Sequence, residues 1–142
     1  WACKSSVSDM HNYLKEEEIL SDELIQSFDS EFKYHLDRYK YSSRYGVESK
    51  EHQNECKTIL KNLEATINPN PWIFGRQVSL LDISILPFIR QYKIANPDWF
   101  FAQKFVKVIG LLNYFENDDL FTQAMQKYDL WDPKKNNGNI FP

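Results

Sequence analysis

Four residues in the first half of the chain have types and spacing that suit recognition of a small molecule: Tyr34, Arg38, Tyr41 and Tyr45, at intervals of four, three and four. Those intervals place them on one stripe of a helix. Aromatic faces contact an apolar electrophile and phenolic hydroxyls orient it. A guanidinium offers a planar fork to a carboxylate or stacks on a ring. The same stripe serves equally well for packing against an adjacent helix or a partner subunit, where amphipathic tyrosines are common. Both readings of the stripe, substrate-binding wall and packing surface, stand at this point.

Other reactive side chains are sparse. Cys3 and Cys56 are isolated, with no C-x-x-C spacing, which argues against a disulfide framework and for a reducing compartment, the cytoplasm. Cys56 falls on an apolar stripe and reads as a small core residue. Cys3 lies in a polar stretch with nothing beside it to mark it as reactive. His11, His35 and His52 share no metal-ligand spacing with one another or with the cysteines, so each reads as a surface or packing residue and no metal site is expected. Arg90 follows an apolar run, where an unpaired charge would be costly, and Asp37 or Asp82 is available as a counter-charge. No catalytic residue is assigned.

The elements that must position these groups read as helices. Leu20, Leu24, Phe28, Phe32, Leu36 and Tyr39 recur at intervals of three or four, the mark of one buried helix face. Ser21 suits the N-cap of this helix and Gly46 its left-handed stop. A second helix is expected over residues 49–67, with Cys56, Ile59, Leu60, Leu63 and Ile67 inward and Glu51, Glu55, Lys57, Lys61 and Glu64 solvated. Asn68-Pro69-Asn70-Pro71 breaks it, because each proline holds the preceding residue extended.

Ser79 and Asp82 then have the N-cap and N3 spacing of a capping box, flanked by Val78 and Ile83 at the spacing of a hydrophobic staple. The helix they open, over residues 80–94, carries Ile83, Ile85, Leu86, Phe88 and Ile89 and is apolar nearly all round, as expected of a helix surrounded by others. Pro87 inside it predicts a kink. Asn96-Pro97 predicts the cap and first turn of a short helix through Phe101. Two more helices are expected, from Phe105 to Phe115 and from Leu120 to Tyr128, followed by an irregular tail anchored by Phe141. Residues 1–18 are polar and read as an interdomain linker with a short helix, and residues 19–142 as one helical domain.

Composition agrees with a single all-α domain. The 142 residues hold only 4 Gly and 6 Pro beside 42% hydrophobic and 15% aromatic residues, too few turn formers for an all-β fold. A formal net charge of −3, with no basic cluster beyond Lys134-Lys135, argues against nucleic acid. The longest apolar run, Leu80 to Ile89, is interrupted by Asp82, Ser84 and Pro87 and is too short to span a bilayer, so no membrane partner is expected. A chain that opens on Trp1 without Met is expected to follow further sequence.

Trp72-x-x-Gly75 followed by Ser79-Leu80-Leu81-Asp82-Ile83-x-Ile85-x-Pro87-Phe88 resembles the central helix of the glutathione-transferase C-terminal domain. Leu111-Leu112-x-x-Phe115-Glu116-x-x-x-Leu120-Phe121 is similar to that family's penultimate-helix pattern, with Leu111 where a Trp is usual. Phe32-Lys33-x-x-Leu36-Asp37-Arg38-Tyr39-Lys40-Tyr41-x-x-Arg44-Tyr45, together with Pro87-Phe88-Ile89-Arg90-Gln91 and the closing Phe141-Pro142, resembles a bacterial subgroup of glutathione-transferase-like proteins.

The resemblance implies a helical bundle of about five to seven helices. It also implies a thioredoxin-like N-terminal domain of the same protein as partner, with Trp1-Ala2 near the junction, and is compatible with a homodimer. Glutathione is implied as co-substrate of the full-length protein, bound mainly by that other domain, which would also supply the Tyr, Ser or Cys acting on the thiolate. The helical domain would then line the pocket for the electrophile, with Tyr34, Arg38, Tyr41 and Tyr45 on its wall. The alternative is a non-catalytic helical interaction module of the same fold.

Overall fold

The structure, a computed structural model, describes residues 2–124, with side chains described for residues 15–119 and 121–123. It is all-α, and the described residues form no strand. Helix α1, Ala2–Ser27, passes directly into a π-helical segment, Phe28–Phe32, and then into α2, Lys33–Lys40. The short α3 (Ser42–Tyr45) precedes α4 (Ser49–Thr66), α5 (Leu80–Ala95), α6 (Pro97–Ala102), α7 (Val106–Asn117) and α8 (Asp119–Ala124).

Residues 2–18, expected as a linker with a short helix, are instead the opening turns of one continuous helix. Ser21 lies inside it and caps nothing. The apolar periodicity that begins at Leu20 marks where this helix acquires a face to bury, and that is not where it starts. The side chains of Cys3 and His11 lie outside the described ones. Tyr128, Lys134-Lys135, Phe141 and the rest of the expected tail lie outside the described residues.

The π-helical segment has a visible cause and effect. The Ser30 hydroxyl donates to the Gln26 carbonyl at 2.6 Å, while the Lys33 N–H reaches back to the Phe28 carbonyl, five residues away. The wider turn stacks Phe28 and Phe32, ring centroids 4.7 Å apart, and sends both rings into the core, at 1% and 0% exposure. Leu36 extends the face, with Leu24 and Tyr39 packed at its margins.

Helix α5 is the centre of the fold and packs against α1, the π segment, α2, α6 and α7. Leu81, Ile85, Leu86, Ile89 and Tyr92 are all buried along it. Tyr92 meets Phe32, Tyr39, Trp99 and Phe100 edge to face, an arrangement worth about 0.5–1.5 kcal/mol per pair beyond the area buried. Its hydroxyl donates to the Gln53 carbonyl at 2.7 Å, and Gln53 Nε2 donates to the Tyr39 hydroxyl at 2.9 Å. The expectation of a helix surrounded by others is corrected along one side, from Leu80 and Ile83 to Ile94, which is 52% exposed. Leu80 is 71% exposed and Ile83 46%, and Val78 is exposed as well, so the staple pair does not seal the helix end. Pro87 lies inside the helix.

The capping box at that end is formed and goes further than its spacing predicts. The Asp82 N–H donates to Ser79 Oγ at 3.2 Å, and Asp82 Oδ2 accepts the Ser79 N–H at 2.9 Å. The other carboxylate oxygen accepts the Ile73 N–H at 3.1 Å, which ties the preceding loop to the helix. In that loop Trp72 and Gly75 exchange backbone hydrogen bonds, and Gly75 turns at φ 125°, a conformation open only to glycine at no steric cost.

Asn96 caps α6 through the Trp99 N–H at 3.1 Å, with Pro97 in the first turn. On α4, Cys56, Leu60 and Leu63 are buried with Ile67 just beyond them. Glu64, expected on the solvated face, is redirected: its two oxygens accept the N–H groups of Lys107 and Val108, each at 2.8 Å. Helix α7 has no capping side chain of its own, and α4 supplies one across the bundle. No described helix is long and apolar enough to cross a membrane.

Candidate functional site

The hairpin of α2, α3 and α4 holds the four residues of the tyrosine stripe. Helix α2 stops where Tyr41 leaves helical geometry (φ −123°, ψ 41°), and α3 ends at Gly46 in the left-handed region (φ 64°). The returning α4 is fixed in antiparallel register by contacts that step along the hairpin. The Cys56 thiol donates to the Phe32 carbonyl, His35 meets His52, and the Ser49 hydroxyl donates to the Tyr39 carbonyl at 3.2 Å.

The break at Tyr41 divides the stripe. Arg38 lies between two rings, its guanidinium carbon 3.5 Å from the Tyr34 centroid and 4.5 Å from that of Tyr45. One guanidinium nitrogen donates to the Tyr34 carbonyl at 3.3 Å, and no carboxylate of the described residues pairs with it. The sandwich contributes on the order of 1–2 kcal/mol and holds the fork in place. Tyr41 belongs to a different cluster, with Arg44 and Lys40 over its ring at 5.5 and 5.2 Å. Four residues at uninterrupted helical spacing would share one face, but the kink after Lys40 sends Tyr41 away from the other three. Tyr34, Tyr41 and Tyr45 are all more than two-fifths exposed.

The stripe is an open wall. A recess of about 390 Å³ between Asn68–Pro71 and the start of α7, and another of about 260 Å³ beside Leu20, Ile67 and Phe74, include none of its four residues.

Two residues that the sequence reading placed apart are brought together here: His35 Nδ1 and His52 Nδ1 are 2.8 Å apart. Tyr34 sets its ring edge-on to both imidazoles, with centroids at 5.1 and 6.1 Å. Burial, reinforced by His52, holds the His35 pKa below its ordinary value, with Glu55 and Glu31 partly opposing. The signal that finds this pair is the turn at Gly46, which folds positions 35 and 52 opposite one another in an antiparallel hairpin.

The remaining candidates are structural. Cys56 is fully buried, and desolvation, with Glu55 adding to it, pushes its thiol up to about 12; it is a core residue. Arg90 takes neither expected carboxylate: its guanidinium lies 5.1 Å from the Phe121 centroid, and the carboxylate of Asp82 is engaged by Ser79 and Ile73. Lys93 on α5 pairs with Glu116 on α7. Among the described residues no three metal-ligating side chains converge. Comparison of the chain with protein-family models, curated proteins and solved structures gives no match.

Proposed function

We propose that this chain is the C-terminal helical domain of a glutathione-transferase-like protein and that it forms one wall of the cleft for the electrophilic substrate. The observation that carries the reading is Arg38. It is held between Tyr34 and Tyr45, and no carboxylate of the described residues pairs with it. A guanidinium fixed in this way is suited to an aromatic substrate that bears a carboxylate, since the rings offer stacking area and the fork donates to two oxygens. An open wall needs a second wall, and a thioredoxin-like domain of the same protein would provide it, together with glutathione and the group that ionises its thiol. Among the described residues the one thiol, that of Cys56, is buried and held protonated.

The test uses the protein that carries both domains. Arg38→Ala and Tyr45→Ala are expected to raise KM for a carboxylated electrophile about tenfold each, the effect of about 1.4 kcal/mol of lost binding. KM for glutathione should stay within about twofold, a change of less than 0.5 kcal/mol. Equal effects on both substrates, or on neither, would remove the cleft reading. Micromolar affinity of residues 1–142 alone for glutathione, measured by calorimetry, would overturn the division of labour between domains.

A second reading, a non-catalytic helical interaction module, has its own observation. Val78, Leu80 and Ile83 are exposed together at the head of α5, as a docking surface would be. The two readings separate on Leu80→Asp, which leaves turnover unchanged under the first and abolishes self-association or partner binding under the second.

A further inference from the structure

Helices α2 and α4 are joined by a contact that neither the stripe nor the core accounts for. The rings of His35 and His52 are inclined at 37° with centroids 5.1 Å apart, and their Nδ1 atoms meet at 2.8 Å. His52 is 8% exposed. Two imidazole nitrogens at that distance form a hydrogen bond only if one carries its proton and the other is bare. One added proton can settle on the outer Nε2 of the donor ring, leaving the bond intact and charge-assisted. A second must go to the acceptor Nδ1. Two N–H groups then face each other, two like charges share a half-buried space, and the contact opens.

The surroundings tune this behaviour without replacing it. Glu31 of the π segment and Glu55 of α4 favour charge on His35, and Arg38 of α2 opposes it. From α3, Tyr45 faces Arg38. From α5, Tyr92 is engaged with Gln53, Phe32 and Tyr39. Helix α7 meets α4 at its far end, through Glu64. Two Nδ1 atoms 2.8 Å apart are at the distance at which they share a proton.

We infer that His35 and His52 form a proton-operated latch between α2 and α4, closed with one added proton or none and open with two. Tyr34 touches both rings and also one face of the Arg38 guanidinium. Opening the latch therefore loosens the Arg38 sandwich, whether or not that sandwich binds a substrate.

The experiment is an imidazole ¹⁵N titration by NMR of the 142-residue chain carrying His11→Gln, so that only this pair titrates. At pH 7.5 one Nδ1 is expected to be protonated and the other bare. On acidification the pair should take up protons in two steps at least about one pH unit apart. The Tyr34 ring signals should move with the second step only. In His52→Asn, His35 should titrate in a single step and the late Tyr34 shift should vanish. Two independent single steps near about pH 6.5, or a Tyr34 response that survives His52→Asn, would overturn the latch. Should His52→Asn fail to fold, the titration of the unsubstituted pair decides alone.

Discussion

Asp82 Oδ1 accepts the backbone N–H of Ile73 at 3.1 Å, so one fully buried carboxylate both caps α5 and pins the loop that precedes it. Removing the side chain leaves three donors without their acceptor: the N–H groups of Ile73 and Ser79 and the Ser79 hydroxyl. A lost cap costs about 1 kcal/mol, whereas hydrogen bonds to a buried charge are worth about 1.5–3 kcal/mol each. Asp82→Ala is therefore expected to cost about 3 kcal/mol or more in urea unfolding, beyond what loss of a cap alone predicts. A loss of about 1 kcal/mol would mean that the Ile73 contact adds nothing.

Glu64 and Val108 make the corresponding link between α4 and α7. Because α7 has no cap of its own, Glu64→Ala should destabilise the fold by about 1–3 kcal/mol. The sharper readout is hydrogen exchange. The amides of Lys107 and Val108 should lose protection in Glu64→Ala by more than those in the middle of α7, while those of α5 change only with global stability. Uniform change across both helices would indicate that the carboxylate does not act as the cap.

These two carboxylates also mark the boundary of what the sequence reveals. Ser79 and Asp82 are three residues apart, as are Asn96 and Trp99, and Gly46 ends its own helix; each of these features is local and each is legible. Glu64 looks like any solvated helix glutamate, because its partners lie 43 and 44 residues away. Residues 2–18 have too weak an apolar pattern to announce more than a short helix, yet they open one that runs unbroken to Ser27. In the stripe, residue types and spacing pick out Tyr34, Arg38 and Tyr45, but the same spacing includes Tyr41, which a backbone break turns elsewhere. His35 and His52 become neighbours only once the hairpin register is known. A single helical period cannot carry that information.

Cys56 provides a test of the core. Its thiol is buried against the Phe32 carbonyl and pushed up to about 12, so at pH 8 only about one molecule in ten thousand carries the thiolate that alkylating reagents need. With Cys3 replaced by Ser, so that one thiol remains, labelling by iodoacetamide should be limited by opening of the α2–α4 hairpin and should accelerate steeply with urea. Rapid stoichiometric labelling in native buffer would contradict the packing of α4 against the π segment and α2.

The pH dependence of stability follows from His35. Its pKa is lowered in the folded chain, first by burial and then by His52, so near the ordinary value of about 6.5 the unfolded chain binds more protons than the folded one. Stability therefore rises with pH across this window. The contribution is complete above about pH 6.5 and is lost as pH falls from there through the folded value, before most carboxylates titrate near about pH 4. The melting temperature is expected to drop between pH 7.5 and 5.5. His35→Asn should flatten that drop, since it removes the proton acceptor while keeping a hydrogen-bonding side chain. A melting temperature that climbs on acidification would give His35 the opposite sign, a pKa raised by Glu31 and Glu55, and would mean that the carboxylates outweigh burial at this hairpin.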